Sequence, residues 1–174
     1  MPQPPLLWEE VNVLFMIEFV LIALVAAAAW TDFRTRQIPN WITVPGAVLG
    51  VVLQAWYGGL HGLLASLAGA ALGFGIFIAL YIAGGMGAGD VKLFSAVGAF
   101  TGPQSLIIVF VFTGLLGGIA AVALAVSRGR LRETLERTGS LMLGARPAVT
   151  TDSLRLPYGV IIAGGTLMFL VAVH

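Results

Sequence analysis

Apolar residues run almost unbroken through six stretches of the chain, at about 11–31, 41–57, 62–83, 91–101, 104–126 and 157–173. Turn-forming clusters separate them: RTRQIPN at 34–40, GGLHG at 58–62, GGMGAGD at 84–90, TGPQ at 101–104, and a long polar stretch over 127–156. A helix needs about 20 residues to cross the hydrocarbon layer. The second and sixth runs fall slightly short of that, and the fourth is clearly short. The pattern predicts an all-α membrane bundle of six transmembrane helices forming one domain over 1–174.

Composition agrees with the pattern. The chain is 59% hydrophobic and only 10% charged, against about 25% charged in soluble domains. Ahead of the first run stand Glu9 and Glu10 and no basic residue, the wrong flank for a cleaved secretion signal. The first run is therefore read as a retained helix.

Charge decides the threading. With both termini outside and six crossings, the inner segments are 32–40, 84–92 and 127–156. They collect Arg34, Arg36, Lys92, Arg128, Arg130, Arg132, Arg137, Arg146 and Arg155, which are all nine basic residues. That is the distribution the positive-inside rule demands. If the short fourth run failed to cross, the six arginines of 127–156 would lie outside. The stretch 127–156 is thus expected to be a cytoplasmic loop, and 128–137 a short basic helix on the lipid surface.

The 23 glycines include four pairs at small-xxx-small spacing: Gly46/Gly50, Gly69/Gly73, Gly98/Gly102 and Gly114/Gly118. In lipid that spacing lets helix backbones approach closely. Cysteine is absent, which removes disulfides, thiolate metal sites and cysteine nucleophiles. His61 and His174 lie far apart in the chain, so a zinc site is not expected. A net charge of +1 without basic stretches interleaved with aromatics argues against nucleic acid.

Two carboxylates remain. Asp32 falls at the inner end of the first helix, and Asp90 at the N-terminus of the fourth, just after the glycines of 84–89. Both lie at one depth on one side of the membrane, where an ionisable group is expensive and usually functional. Two carboxylates that share a site cannot both ionise cheaply, so the pair holds one proton. One member can then deprotonate a water while the other protonates a peptide carbonyl. A structural alternative stays open for each. Asp90 suits a helix N-cap, and Asp32 could pair with Arg34 or Arg36. Glu18, fourteen residues before Asp32, is about 21 Å away along a helix and cannot join the same site.

The stretch Gly87-Ala88-Gly89-Asp90 resembles the GxGD motif of membrane aspartic proteases. Its extension GGMGAGDVKLFSAVGAFTGP is similar to the type IV prepilin peptidases. Residues Asp32 to Asn40, DFRTRQIPN, resemble that family's D-x₅-IPN stretch, and Leu156-Pro157-Tyr158-Gly159 resembles its motif at the last helix. The resemblance covers about 20–173, and in its short form it is to the peptidases of tight-adherence (Flp-type) pilus systems.

The resemblance implies an aspartic endopeptidase with Asp32 and Asp90 as the catalytic pair and with no cofactor or metal. Gly87 and Gly89 would shape the active-site loop, Lys92 would follow the motif, and Ile38, Pro39 and Asn40 would form the turn after the first aspartate. It implies a prepilin substrate with a basic leader and a hydrophobic helix, cut at the cytoplasmic face of the inner membrane beside the pilus assembly machinery. Longer members carry an extra N-terminal region with paired cysteines and also N-methylate the product. With about ten residues before the first helix and no cysteine, peptidase activity without methyltransferase activity is expected. Two rivals remain: a small proton or cation transporter using membrane carboxylates, and a non-catalytic pilus-assembly protein.

Overall fold

The computed structural model describes residues 7–127 and 157–173. The cytoplasmic loop expected over 127–156, Ser127 apart, and the surface helix expected over 128–137 lie outside the described residues. Four helices occupy the rest: α1 (Leu7–Thr35), α2 (Asn40–Ile82), α3 (Ala88–Ser127) and α4 (Tyr158–Val173). Three stretches, Phe15–Thr35, Asn40–Ile82 and Ala88–Leu124, are long and apolar enough to cross a membrane, and α4 is a shorter apolar helix. The described residues are all-helical, and the protein belongs in a membrane.

The boundaries differ from those read in sequence. GGLHG and TGPQ were expected to be loops, yet each departs from helical geometry at one residue inside a longer helix: Gly59 (φ 56°, ψ −139°) in α2 and Gly102 (φ 72°, ψ 174°) in α3. Positive φ is open to glycine at little steric cost, so one residue suffices to turn the chain. The breaks divide α2 into 40–58 and 60–82, and α3 into 88–101 and 103–127.

Both breaks reverse the chain direction. An unbroken helix of 43 residues would be about 64 Å long and would hold its ends far apart. Instead Gly62 lies against the backbone carbonyl of Gln54, and Asn40 at the start of α2 bonds Lys92 near the start of α3. In α3 the ring of Phe94, before the break, meets that of Phe110, after it, edge-on at 6.2 Å. The helix α4 then runs antiparallel to 103–127, with Gly165 beside Thr113 and Gly117 beside Ile161.

A reversal at Gly102-Pro103 frees backbone carbonyls, because proline has no N–H to give Ala99. Ser66 donates its hydroxyl to Ala99 O at 2.7 Å, and Gln54 donates its amide to Phe100 O at 2.5 Å. Each group left unpaired in hydrocarbon would cost several kcal/mol. Side chains from both halves of α2 thus close the broken ladder of α3.

Large apolar side chains such as Phe19, Trp56, Leu60 and Ile82 face outward, while Ala96, Ala99, Gly50, Gly69 and Gly73 are buried. The hydrophobic effect does not drive helices together in lipid, so close packing must. Gly69 and Gly98 meet backbone to backbone, and Gly46 receives the side chain of Leu24. Phe77 and Phe94 stack at 3.9 Å, and the Phe94 backbone lies against Gly73. The fourth glycine pair behaves differently, since nothing lies within 4 Å of a Cβ built on Gly114 or Gly118. A prediction follows from the contrast. Gly69→Val should destabilise by about 1–3 kcal/mol or more, as overpacking does, whereas Gly114→Val should leave the melting temperature in detergent nearly unchanged.

Candidate active site

Three helix starts and one helix end converge on this region. The last turn of α1 is closed by the Arg36 N–H donating to Asp32 O at 2.8 Å, after which Arg36 takes a left-handed φ of 53°. Ile38 is buried and pins the connection. Pro39, extended at φ −73°, ψ 146°, stands at the N-cap of α2, and its carbonyl accepts the N–H of Ile42 at 3.1 Å. The turn is therefore tight, and it brings α2 in beside the end of α1.

Asp32 lies in the last turn of α1 and is only 6% exposed. At that end its own helix dipole disfavours an anion. Another helix compensates: Oδ2 of Asp32 accepts the Gly159 N–H of α4 at 2.8 Å, beside the Val160 amide, which donates to Pro157 O at 3.1 Å. Free amides at a helix N-terminus suit a carboxylate.

Asp90 is 7% exposed. Its Oδ2 accepts the Gly87 N–H at 2.9 Å, while its own N–H donates to Gly87 O at 3.1 Å. That is the side-chain half of a capping box, with the Gly87 backbone carbonyl accepting where a Ser or Thr side chain would. The N-cap position considered for Asp90 in the sequence therefore belongs to Gly87, because α3 begins at Ala88 and not after the aspartate. Asp90 sits one turn in and reaches back.

Both carboxylates line one cavity of about 280 Å³, together with Arg36, Gln37, Ile38, Gly87, Ala88 and Gly89. The two acids lie within electrostatic reach of each other, and Tyr158 at the start of α4 lies within reach of Asp90. Gly89 leaves room for Ile38, whose Cβ is 3.1 Å from where a side chain would begin. Lys92, Asn40 and Pro39 do not line the cavity. Lys92 Nζ donates to Asn40 Oδ1 at 2.8 Å on an exposed rim, tying α3 to α2, and Pro39 shapes the turn.

Sequence reasoning gave no role to Arg36 or Gln37 in the cavity wall, nor to Gly159 as the amide that holds Asp32. The signal for Gly159 was its place in LPYG at the start of the last apolar run. Among the described residues, no three of His, Cys, Asp and Glu gather where they could hold a metal. Two carboxylates that line one small cavity are an arrangement that can share one proton and polarise a water.

Residues 19–122, a span that includes both aspartates, match the type IV leader peptidase family. The chain is 38% identical over 121 residues to the prepilin leader peptidase/N-methyltransferase of Bacillus subtilis, covering 64% of this chain and 45% of that protein. It is 34% identical over 118 residues to the protein of the same name from Escherichia coli, covering 63% and 52%. It is 33% identical over 100 residues to the prepilin peptidase EppA of Methanocaldococcus jannaschii, covering 57% and 27%. The chain thus spans about half the length, or less, of the curated relatives it matches. No solved structure matches it. With a match over more than half its length and both acids inside the matched span, this chain belongs to the type IV leader peptidase family.

Proposed function

We propose that the protein is an intramembrane aspartic endopeptidase that removes the basic leader from type IV prepilin-like proteins. One observation carries the proposal: Asp32 and Asp90, from different helices, open onto the same cavity. In the resting state the pair holds one proton. The ionised member takes a proton from water as its oxygen attacks the peptide carbonyl carbon, and the protonated member gives its proton to the carbonyl oxygen. Collapse of the tetrahedral species passes a proton to the departing nitrogen and breaks the C–N bond. No covalent intermediate forms.

The six helical segments, two each from α2 and α3 with α1 and α4, are proposed to cross the membrane six times as one domain. Both termini then lie outside, and the cavity opens at the cytoplasmic face of the inner membrane. Arg34, Arg36 and Lys92 at that end support this orientation through the positive-inside rule. The partners are a prepilin, whose hydrophobic helix would lie in the bilayer, the surrounding lipid, and the pilus assembly machinery of a tight-adherence system. Relatives are named for both leader cleavage and N-methylation. The cavity accounts for the first, and cleavage without methylation is proposed here.

A transporter would set its acids along a path through the bundle, whereas Asp32 and Asp90 gather at one end. A non-catalytic assembly protein would have no use for two acids facing one cavity. The test is incubation of the purified chain with a prepilin and S-adenosylmethionine in lipid vesicles. Free leader and a shortened pilin with an unmethylated N-terminus are expected. An intact prepilin would refute the peptidase, and a methylated product would refute the single activity.

A further inference from the structure

The turn after α1 carries two arginines, and the structure sends them to different places. The guanidinium of Arg34 lies 4.5 Å above the ring of Trp30, which is 59% exposed. Arg36 instead lines the cavity of Asp32 and Asp90, and its charge bears on Asp32. The nearby Lys92 is engaged with Asn40 at the rim and does not line the cavity.

The backbone of Arg36 is itself unusual. Its φ of 53° makes it the one non-glycine residue with positive φ among the described residues. It directly follows the end of α1, the position where helices commonly place glycine. An L side chain there is strained, and such strain persists where the surroundings impose it, often at functional sites. Glycine would relieve the strain but would remove the cation from the cavity.

We infer that Arg36 is a positioning residue for the hydrolysis, acting through Asp32 from a left-handed backbone. Its positive charge in the cavity wall and the Gly159 amide together orient the Asp32 carboxylate toward the water, offset against the charge of Asp90. The groups that share the cavity with Asp32 or bond it are Arg36, Asp90 from α3 and the Gly159 amide of α4, with the charge of Asp90 also felt by Tyr158. The inference rests on the peptidase proposal and adds a residue to it.

The test compares Arg36→Gly and Arg36→Lys with the parent on a prepilin in vesicles, with melting temperatures recorded for each. Arg36→Gly should melt no lower than the parent. Its kcat should fall by roughly ten- to a hundredfold, up to the scale of a misplacement of about 1 Å in a reacting group, with KM little changed. Arg36→Lys should recover part of kcat. A parental rate in Arg36→Gly would overturn the inference. So would a loss confined to KM, or a loss that follows melting temperature in both variants. If Asp32→Asn and Asp90→Asn are inactive while Arg36→Gly is normal, only this inference fails. Normal rates in the aspartate variants would instead remove the peptidase itself.

Discussion

Replacing either Asp32 or Asp90 with asparagine should abolish leader cleavage, lowering kcat by at least about 10⁴-fold as loss of a primary acid–base group does. The substitution is nearly isosteric, and an amide oxygen can still accept the hydrogen bond now made to Oδ2. Asp32→Asn keeps an acceptor for the Gly159 N–H at 2.8 Å, and Asp90→Asn keeps one for the Gly87 N–H at 2.9 Å. Melting temperatures should therefore stay close to the parent while activity disappears. Groups that act as one unit are strongly non-additive, so the double variant should be no slower than either single one. Initial rates in vesicles check this. Substantial turnover in one single variant would mean that the two acids do not divide the work.

Gly159→Val should cost roughly 100-fold in rate, the scale of a misplacement of about 1 Å in a reacting group. A Cβ at Gly159 would stand 2.9 Å from Asp32 Cβ, 3.0 Å from Asp32 Oδ2 and 3.0 Å from Ile38 Cδ1. Asp32 cannot then keep its present place against α4, and the short hydrogen bond that orients its carboxylate is lost. Valine exceeds the limit that the added Cβ already breaks, so a small adjustment does not suffice. Gly159→Ala should fall between valine and the parent. The same rate assay, with melting curves to separate misfolding from misplacement, reads the outcome. A Gly159→Val variant that cleaves at the parental rate would mean that α4 does not set the position of Asp32.

Much of this arrangement was legible in the chain. Six apolar runs correspond to α1, the two halves of α2, the two halves of α3, and α4, because apolar length and glycine punctuation report helices and reversals directly. Asp32 and Asp90 stood out because carboxylates are rare in so apolar a sequence, and both motif glycines proved to belong to the cavity wall. Three features were not legible. Whether GGLHG is a loop or a helix bent at Gly59 depends on one dihedral angle, which composition does not encode. The Asp32–Gly159 bond joins residues 127 positions apart, and spacing carries no signal at that range. The left-handed Arg36 occupies a place that propensity would have assigned to glycine, so local rules pointed away from it. The last two lie at the candidate site, the place where departures from local sequence rules are to be expected.

The absence of cysteine makes the meeting of the two acids directly measurable. In the double variant Asp32→Cys/Asp90→Cys, a short bifunctional thiol reagent should join the two positions within one chain, detected as a linked peptide pair by mass spectrometry. In Glu18→Cys/Asp90→Cys the same reagent should not, since residue 18 lies about 21 Å along α1 from residue 32. Linkage at 32 and 90 alone is the predicted result. Failure to link them, or equal linkage in both variants, would contradict a shared carboxylate site.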